Sequence, residues 1–167
     1  VLSQQGGKYL LKKYMQAKYG KLAASSKAAD KNGIQFEFIT KENIDRLSRL
    51  GAQDFNATTS DFTHRSENNI ENLIVDFVRA FELRCLWLVS VVADQFVAQS
   101  GGKSRGGLML YISRQMYDCT EAFFDLLVIK EFANKILSLI REKASVSFRP
   151  TVDSLVALFT LLSLHFM

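Results

Sequence analysis

The stretch Ser66-Glu-Asn-Asn-Ile70-Glu-Asn-Leu-Ile74-Val-Asp-Phe77-Val-Arg-Ala-Phe81-Glu-Leu-Arg84-Cys85-Leu-Trp-Leu88-Val-Ser-Val-Val92-Ala-Asp94-Gln-Phe96-Val-Ala-Gln99 decides the fold. Ile70, Ile74, Phe77, Phe81, Cys85, Leu88, Val92 and Phe96 recur at spacings of three and four, the period of a helix with one buried face. Ser66 stands where an N-cap belongs. From Leu83 to Val97 the stretch is apolar on nearly every side, apart from Arg84, Ser90, Asp94 and Gln95. A helix apolar all round lies in the middle of a domain or in a membrane. These interruptions are too frequent for an ordinary bilayer span. The spacing predicts a central core helix over 66–99.

The neighbouring segments extend this reading. Ser100-Gly-Gly-Lys-Ser-Arg-Gly-Gly107 reads as a linker, and its four glycines and two cations predict a mobile, solvated turn. A second long helix follows over about 108–144, with a stripe at Ile112, Met116, Cys119, Phe123, Leu126, Ala133, Leu137 and Ile140. Only Lys130 interrupts the stripe, and a helix this long is expected to break near Val128–Phe132. Arg149-Pro150-Thr151 marks a restart. The apolar run Leu155–Met167 is shorter than the roughly 20 residues of a full span. It reads as a final core helix, with the start of a tail anchor as the alternative.

Towards the N-terminus, residues 6–29 read as a helix with Leu10, Leu11, Tyr14, Met15 and Leu22 on one face. Asp30-Lys-Asn-Gly33 is a turn signal. Ile34-Gln-Phe-Glu-Phe-Ile39 alternates like a strand, but a single short strand lacks a partner, so an extended connector is expected. Thr40 reads as the cap of a short helix over 41–50 with Gly51 as its stop, and residues 53–65 read as a loop or irregular helix. The expected fold is all-α, a single domain over 1–167, with five to seven helices around the long hydrophobic hairpin 66–99/108–144.

Composition agrees with a globular domain. The 167 residues are 48% hydrophobic and 23% charged, which excludes a disordered chain. Nine Gly, one Pro and two Cys exclude collagen and a disulfide scaffold, and so little proline permits long helices. Net charge is +4 but uneven: residues 1–31 carry seven lysines and one acid, leaving the remainder at −2. Such a segment suits phosphates or anionic lipid, although a solvated amphipathic helix is the simpler reading of it. Cys85 and Cys119 lie in apolar runs and read as reduced core residues of a cytoplasmic protein, with a single disulfide as the alternative. The start shows no apolar region of a secretory signal.

Catalytic patterns are not found. Gly102-Lys103-Ser104 resembles the end of a phosphate loop, but the required first glycine is Val97 and no strand precedes it. His64 and His165 lack partners at metal spacing. Asp118 beside Cys119 disfavours a thiolate, and Glu121 with Asp125 reads as a solvated pair. The chain is expected to be no enzyme and to need no cofactor or metal. Arg84 and Asp94 stand out, because a charge in an apolar helix needs a partner or a surface. Each reads either as half of a structural ion pair or as a charge that orients a ligand helix in a groove, and Arg84 also as a cation snorkelling to solvent.

The order of elements resembles the apoptosis regulators of the B-cell lymphoma 2 family. Leu47-Ser-Arg-Leu50-Gly51-Ala-Gln-Asp54-Phe55 is similar to that family's third homology motif, through Leu47 and Gly51. Ala52 stands where the motif has an acid; Asp54 is the nearest one, and Phe55 falls one place late. Lys8–Gly20 resembles the family's first helix. The Asn-Trp-Gly-Arg signature of the first motif is missing; Arg84 and Trp87 occur nearby in another order. The Trp-containing second motif expected near Phe123–Phe132 is missing as well. The resemblance implies a non-enzymatic regulator of cell death, in the cytoplasm or at the mitochondrial outer membrane. It would bind a partner's amphipathic helix in a groove lined by Phe77, Phe81, Leu88 and Val92, with Arg84 meeting an acid of the ligand.

Ile70-Glu-Asn-Leu-Ile-Val-Asp-Phe-Val-Arg-Ala80 also resembles a late helix of rod-shaped plant virus coat proteins. That alternative makes the chain a coat or nucleic-acid-binding protein, with Lys12, Lys13, Lys103, Arg105 and Arg114 on phosphates. In that set aromatic residues are not interleaved with the cations, which speaks against base stacking. A further alternative is a helical subunit of a larger assembly or homo-oligomer, docked through its apolar C-terminus.

Overall fold

The structure is a computed structural model that describes residues 2–20, 37–49, 70–99, 112–142 and 149–166. It is an all-α helical bundle. Among the described residues the helices are α1 (Leu2–Tyr19), α2 (Lys41–Arg49), α3 (Ile70–Gln99), α4 (Ser113–Glu142) and α5 (Arg149–Phe166).

α1 starts and stops earlier than the expected 6–29. Its end is set by Gly20, at φ 62°, whose N–H donates to the Gln16 carbonyl at 3.1 Å. This left-handed cap suits glycine and terminates the helix. Leu22, expected on the same face, lies outside the described residues. Thr40 caps α2 as expected: its Oγ1 accepts from the Asn43 N–H at 3.2 Å. The Asn43 amide also donates to the Phe38 carbonyl at 2.9 Å, holding the preceding turn against α2. Phe38 and Ile39 end the strand-like run and are buried in that turn.

α3 begins at Ile70 among the described residues; Ser66, the linker 100–107 and the segment 53–65 lie outside them. α4 runs unbroken through Val128–Phe132, correcting the expected interruption. Ser113–Glu142 contains neither Pro nor Gly, and its core face continues through Leu126, Ile129, Ala133 and Ile136. Lys130 stands beside that face and reaches Glu82 at 3.5 Å. Pro150 opens α5 in the first turn, where its missing N–H costs nothing.

Contacts group the chain into two compact units. The first comprises Val1–Leu50 and Arg84–Ala122. Its core holds Leu10 and Tyr14 of α1, Ile44 and Leu47 of α2, Cys85, Leu86 and Val89 of α3, and Met116 and Cys119 of α4. α1 approaches α4 through glycine. A Cβ on Gly7 would meet the Met116 carbonyl oxygen and lie 2.8 Å from the Met116 Cβ. Lys18 of α1 bonds Asp94 of α3 at 3.0 Å at the surface. Asp94 is thus half of an ion pair, one of the two expectations for it.

The second unit comprises Gly51–Leu83 and Phe123–Met167. Ile74, Phe77 and Phe81 of α3 are buried there with Leu126, Ile129 and Ile136 of α4. Phe159 locks α5 onto them. Its ring stands edge-on to Phe77 at 6.0 Å and to Phe132 at 5.6 Å, an arrangement aromatic quadrupoles favour by about 0.5–1.5 kcal/mol per pair beyond burial.

Candidate functional site

In α5, Phe159 and Ser163 are one turn apart and both are fully buried. That pair fixes the helix rotation. Side chains a third to half a turn away face solvent, and Leu158, Leu161 and Leu164 are 54%, 66% and 59% exposed. Between Asp153 and His165 the helix carries no charged residue, so its outward face is uncharged as well as apolar. α4 repeats the feature in the same unit: Phe124 and Val128 are exposed opposite the buried Leu126 and Ile129. Exposed single apolar residues are ordinary, but several large ones on one helix face mark a contact surface. The Ser163 hydroxyl has no hydrogen-bond partner among the described residues, a cost borne inside the seam that Phe159 fills.

The first unit presents a different surface. Leu10, Leu11 and Tyr14 of α1 turn inward, which leaves Lys8, Lys12 and Tyr19 exposed. Lys13 lies with its Nζ 5.5 Å from the centre of the Tyr9 ring, and Lys18 lies equally near both Tyr14 and Tyr19. Burial raises the Tyr14 phenol above its ordinary value, against the lowering effect of Lys18. The Lys18 ammonium is also held above its ordinary value: burial would lower it, but the Asp94 hydrogen bond and the neighbouring charges outweigh burial.

Both thiols are free and buried. Burial pushes Cys85 up to about 12, with Cys119 adding to the rise. Burial pushes Cys119 up to about 12 also, and Asp118 adds to it, as expected from the sequence. Protonated thiols of this kind are poor nucleophiles.

The expected groove residues fall as follows. Phe77 and Phe81 are buried in the second unit and Val92 in the first, so these three side chains are packed into cores. Arg84 and Leu88 are half-buried in the first unit. Trp87 between them is 51% exposed. Of the motif-like stretch, Leu47 is buried on α2, while Leu50, Gly51, Asp54 and Phe55 lie outside the described residues. Of the expected phosphate contacts, Lys12 and Arg114 are exposed and Lys13 is half-buried; Lys103 and Arg105 lie outside the described residues.

Sequence reading offered an apolar C-terminal docking surface as one alternative but did not single out Leu158, Leu161 and Leu164, and it missed the Gly6-Gly7 approach. A spacing of four between Phe159 and Ser163 was the available signal for the first. For the second it was a glycine pair inside a helical run. Among the described residues no three His, Cys, Asp or Glu side chains gather as a metal site requires. No helix among them is long and apolar enough to cross a membrane. Comparison with models of protein families, with curated proteins and with solved structures finds no match to this chain.

Proposed function

We propose that this chain is a non-enzymatic interaction module that binds an amphipathic helix of a partner protein. The observation that carries this reading is the outward face of α5, where Leu158, Leu161 and Leu164 are each more than half exposed. Their spacing of three complements the i, i+3/i+4, i+7 anchors of a helical ligand. Because the face is uncharged, binding to it rests on apolar burial and is insensitive to salt. Phe77, Phe81 and Val92 stabilise the bundle in this reading rather than meet the ligand. The role in cell death is a narrower proposal that rests on the motif-like stretch around Leu47 and Gly51.

The test is fluorescence anisotropy of a small panel of labelled amphipathic helical peptides, titrated with the full chain at low and moderate salt. Saturable binding that persists in salt and weakens about tenfold or more in Leu161→Ser is expected, since burying one leucine is worth about 1.5–3 kcal/mol. Absence of saturable binding across the panel, or unchanged binding by Leu161→Ser, overturns the reading. Arg84→Ala reports separately on the groove expectation: a loss of affinity exceeding its loss of stability would restore Arg84 to the ligand site.

A further inference from the structure

α1 carries four lysines and no acid over Leu2–Tyr19. Lys18 is engaged by Asp94 at 3.0 Å. Lys8 and Lys12, one turn and about 6 Å apart along the axis, are exposed on the side away from Leu10 and Tyr14. Tyr19 continues the same line about 10 Å further on and is 45% exposed. Tyr9 and Lys13 flank it as a cation–π pair. An aromatic side chain therefore lies among the cations on this face, which the set of cations read from the sequence did not offer.

We propose that the outward face of α1 binds single-stranded nucleic acid, with Lys8 and Lys12 on phosphates and Tyr19 stacking on a base. Charge complementarity selects a polyanion, because no acid on α1 offsets the lysines. The aromatic ring selects among polyanions. A duplex hides its base faces, whereas an unpaired strand offers them for stacking. An anionic bilayer is the weaker fit, since Leu10 and Leu11 are committed to the core and, among the described side chains of α1, no exposed leucine, isoleucine or valine stands beside the lysines to insert. This surface belongs to the first unit and shares no residue with the leucine face of α5, so either proposal can fail alone.

The experiment titrates the full chain into a fluorescein-labelled oligouridylate and follows anisotropy at two salt concentrations. Two phosphate contacts give a log–log salt slope of about −1.4, so affinity should fall about sevenfold or more when salt rises fourfold. Lys8→Gln/Lys12→Gln should remove most of that slope, and Lys8→Arg/Lys12→Arg should keep it, which separates charge from folding. Tyr19→Ala should weaken binding about fivefold or more, while Tyr19→Phe should not. The proposal is overturned by no binding at the lower salt, or by a glutamine pair that binds as the parent does. Binding to phosphatidylserine vesicles without binding to the oligonucleotide also overturns it.

Discussion

Replacing a glycine inside a helix by alanine ordinarily stabilises a protein by about 1 kcal/mol, because alanine loses less backbone entropy. At Gly7 the neighbour reverses the sign. The added methyl would press on the Met116 carbonyl oxygen and come within 2.9 Å of its carbon. These are backbone atoms, held by α4's own hydrogen bonds, so α1 must move. Gly7→Ala should therefore cost about 1–3 kcal/mol, as overpacking does. Gly6 is a milder case. Its added methyl would meet the Thr120 Cγ2 at 2.9 Å, a side-chain atom, although the Thr120 hydroxyl is tied to the Met116 carbonyl at 2.9 Å. At Gly20 nothing lies within 4 Å, and only the positive φ opposes a side chain, for about 1 kcal/mol. Urea midpoints of the three alanine variants should rank Gly7 as the most damaging. A Gly7→Ala protein as stable as the parent would show that α1 does not rest on α4 through this contact.

At the scale of elements, α5 separates two kinds of apolar residue that composition treats alike. Phe159 is fully buried between Phe77 and Phe132, and its truncation to alanine should cost about 3–5 kcal/mol. Leu161 is 66% exposed, and Leu161→Ser should leave stability within about 0.5 kcal/mol. Hydrogen exchange along α5 checks both: the first variant should lose protection through the helix and the second should keep it. Equal loss in the two would mean that the outward leucines are packed after all. The tie between α1 and α3 is of another size. The Lys18 and Asp94 side chains are 28% and 64% exposed, so water and salt screen them and the pair contributes at most about 1 kcal/mol. Asp94→Asn should shift the unfolding midpoint slightly at low salt and not at all in concentrated salt. A large, salt-independent loss would mean that Asp94 has a structural role beyond this bond.

For the whole molecule, the long helices were legible because apolar residues recur at three and four across segments free of Pro and Gly. What was not legible follows from what periodicity measures. It cannot distinguish a core face from a groove, so Phe77 and Phe81 fit either until burial places them inside. It gives no contrast in α5, where nearly every position from Leu155 is apolar. It overweights Lys130, whose long stem lets the ammonium leave the core face for Glu82. It also underweights Gly20, a single residue whose φ ends α1. Nor does any spacing reveal that the first unit gathers three groups whose protonated forms are favoured by burial: Cys85, Cys119 and Tyr14. Their effect on stability has a definite sign. In the unfolded chain the thiols titrate near 9.0, and in the folded chain near about 12. Between those values the unfolded chain binds fewer protons, so stability falls as pH rises. The contribution is whole below about pH 9 and is lost progressively toward pH 12, with Tyr14 adding to the same decline. Urea unfolding followed by circular dichroism at a series of alkaline pH values should show midpoints that fall across this window. Cys85→Ala/Cys119→Ala starts from a lower stability, because two core side chains are trimmed, yet its midpoint should decline less steeply with pH. Parallel declines in parent and variant would assign the alkaline loss to other groups and remove the two thiols from the account.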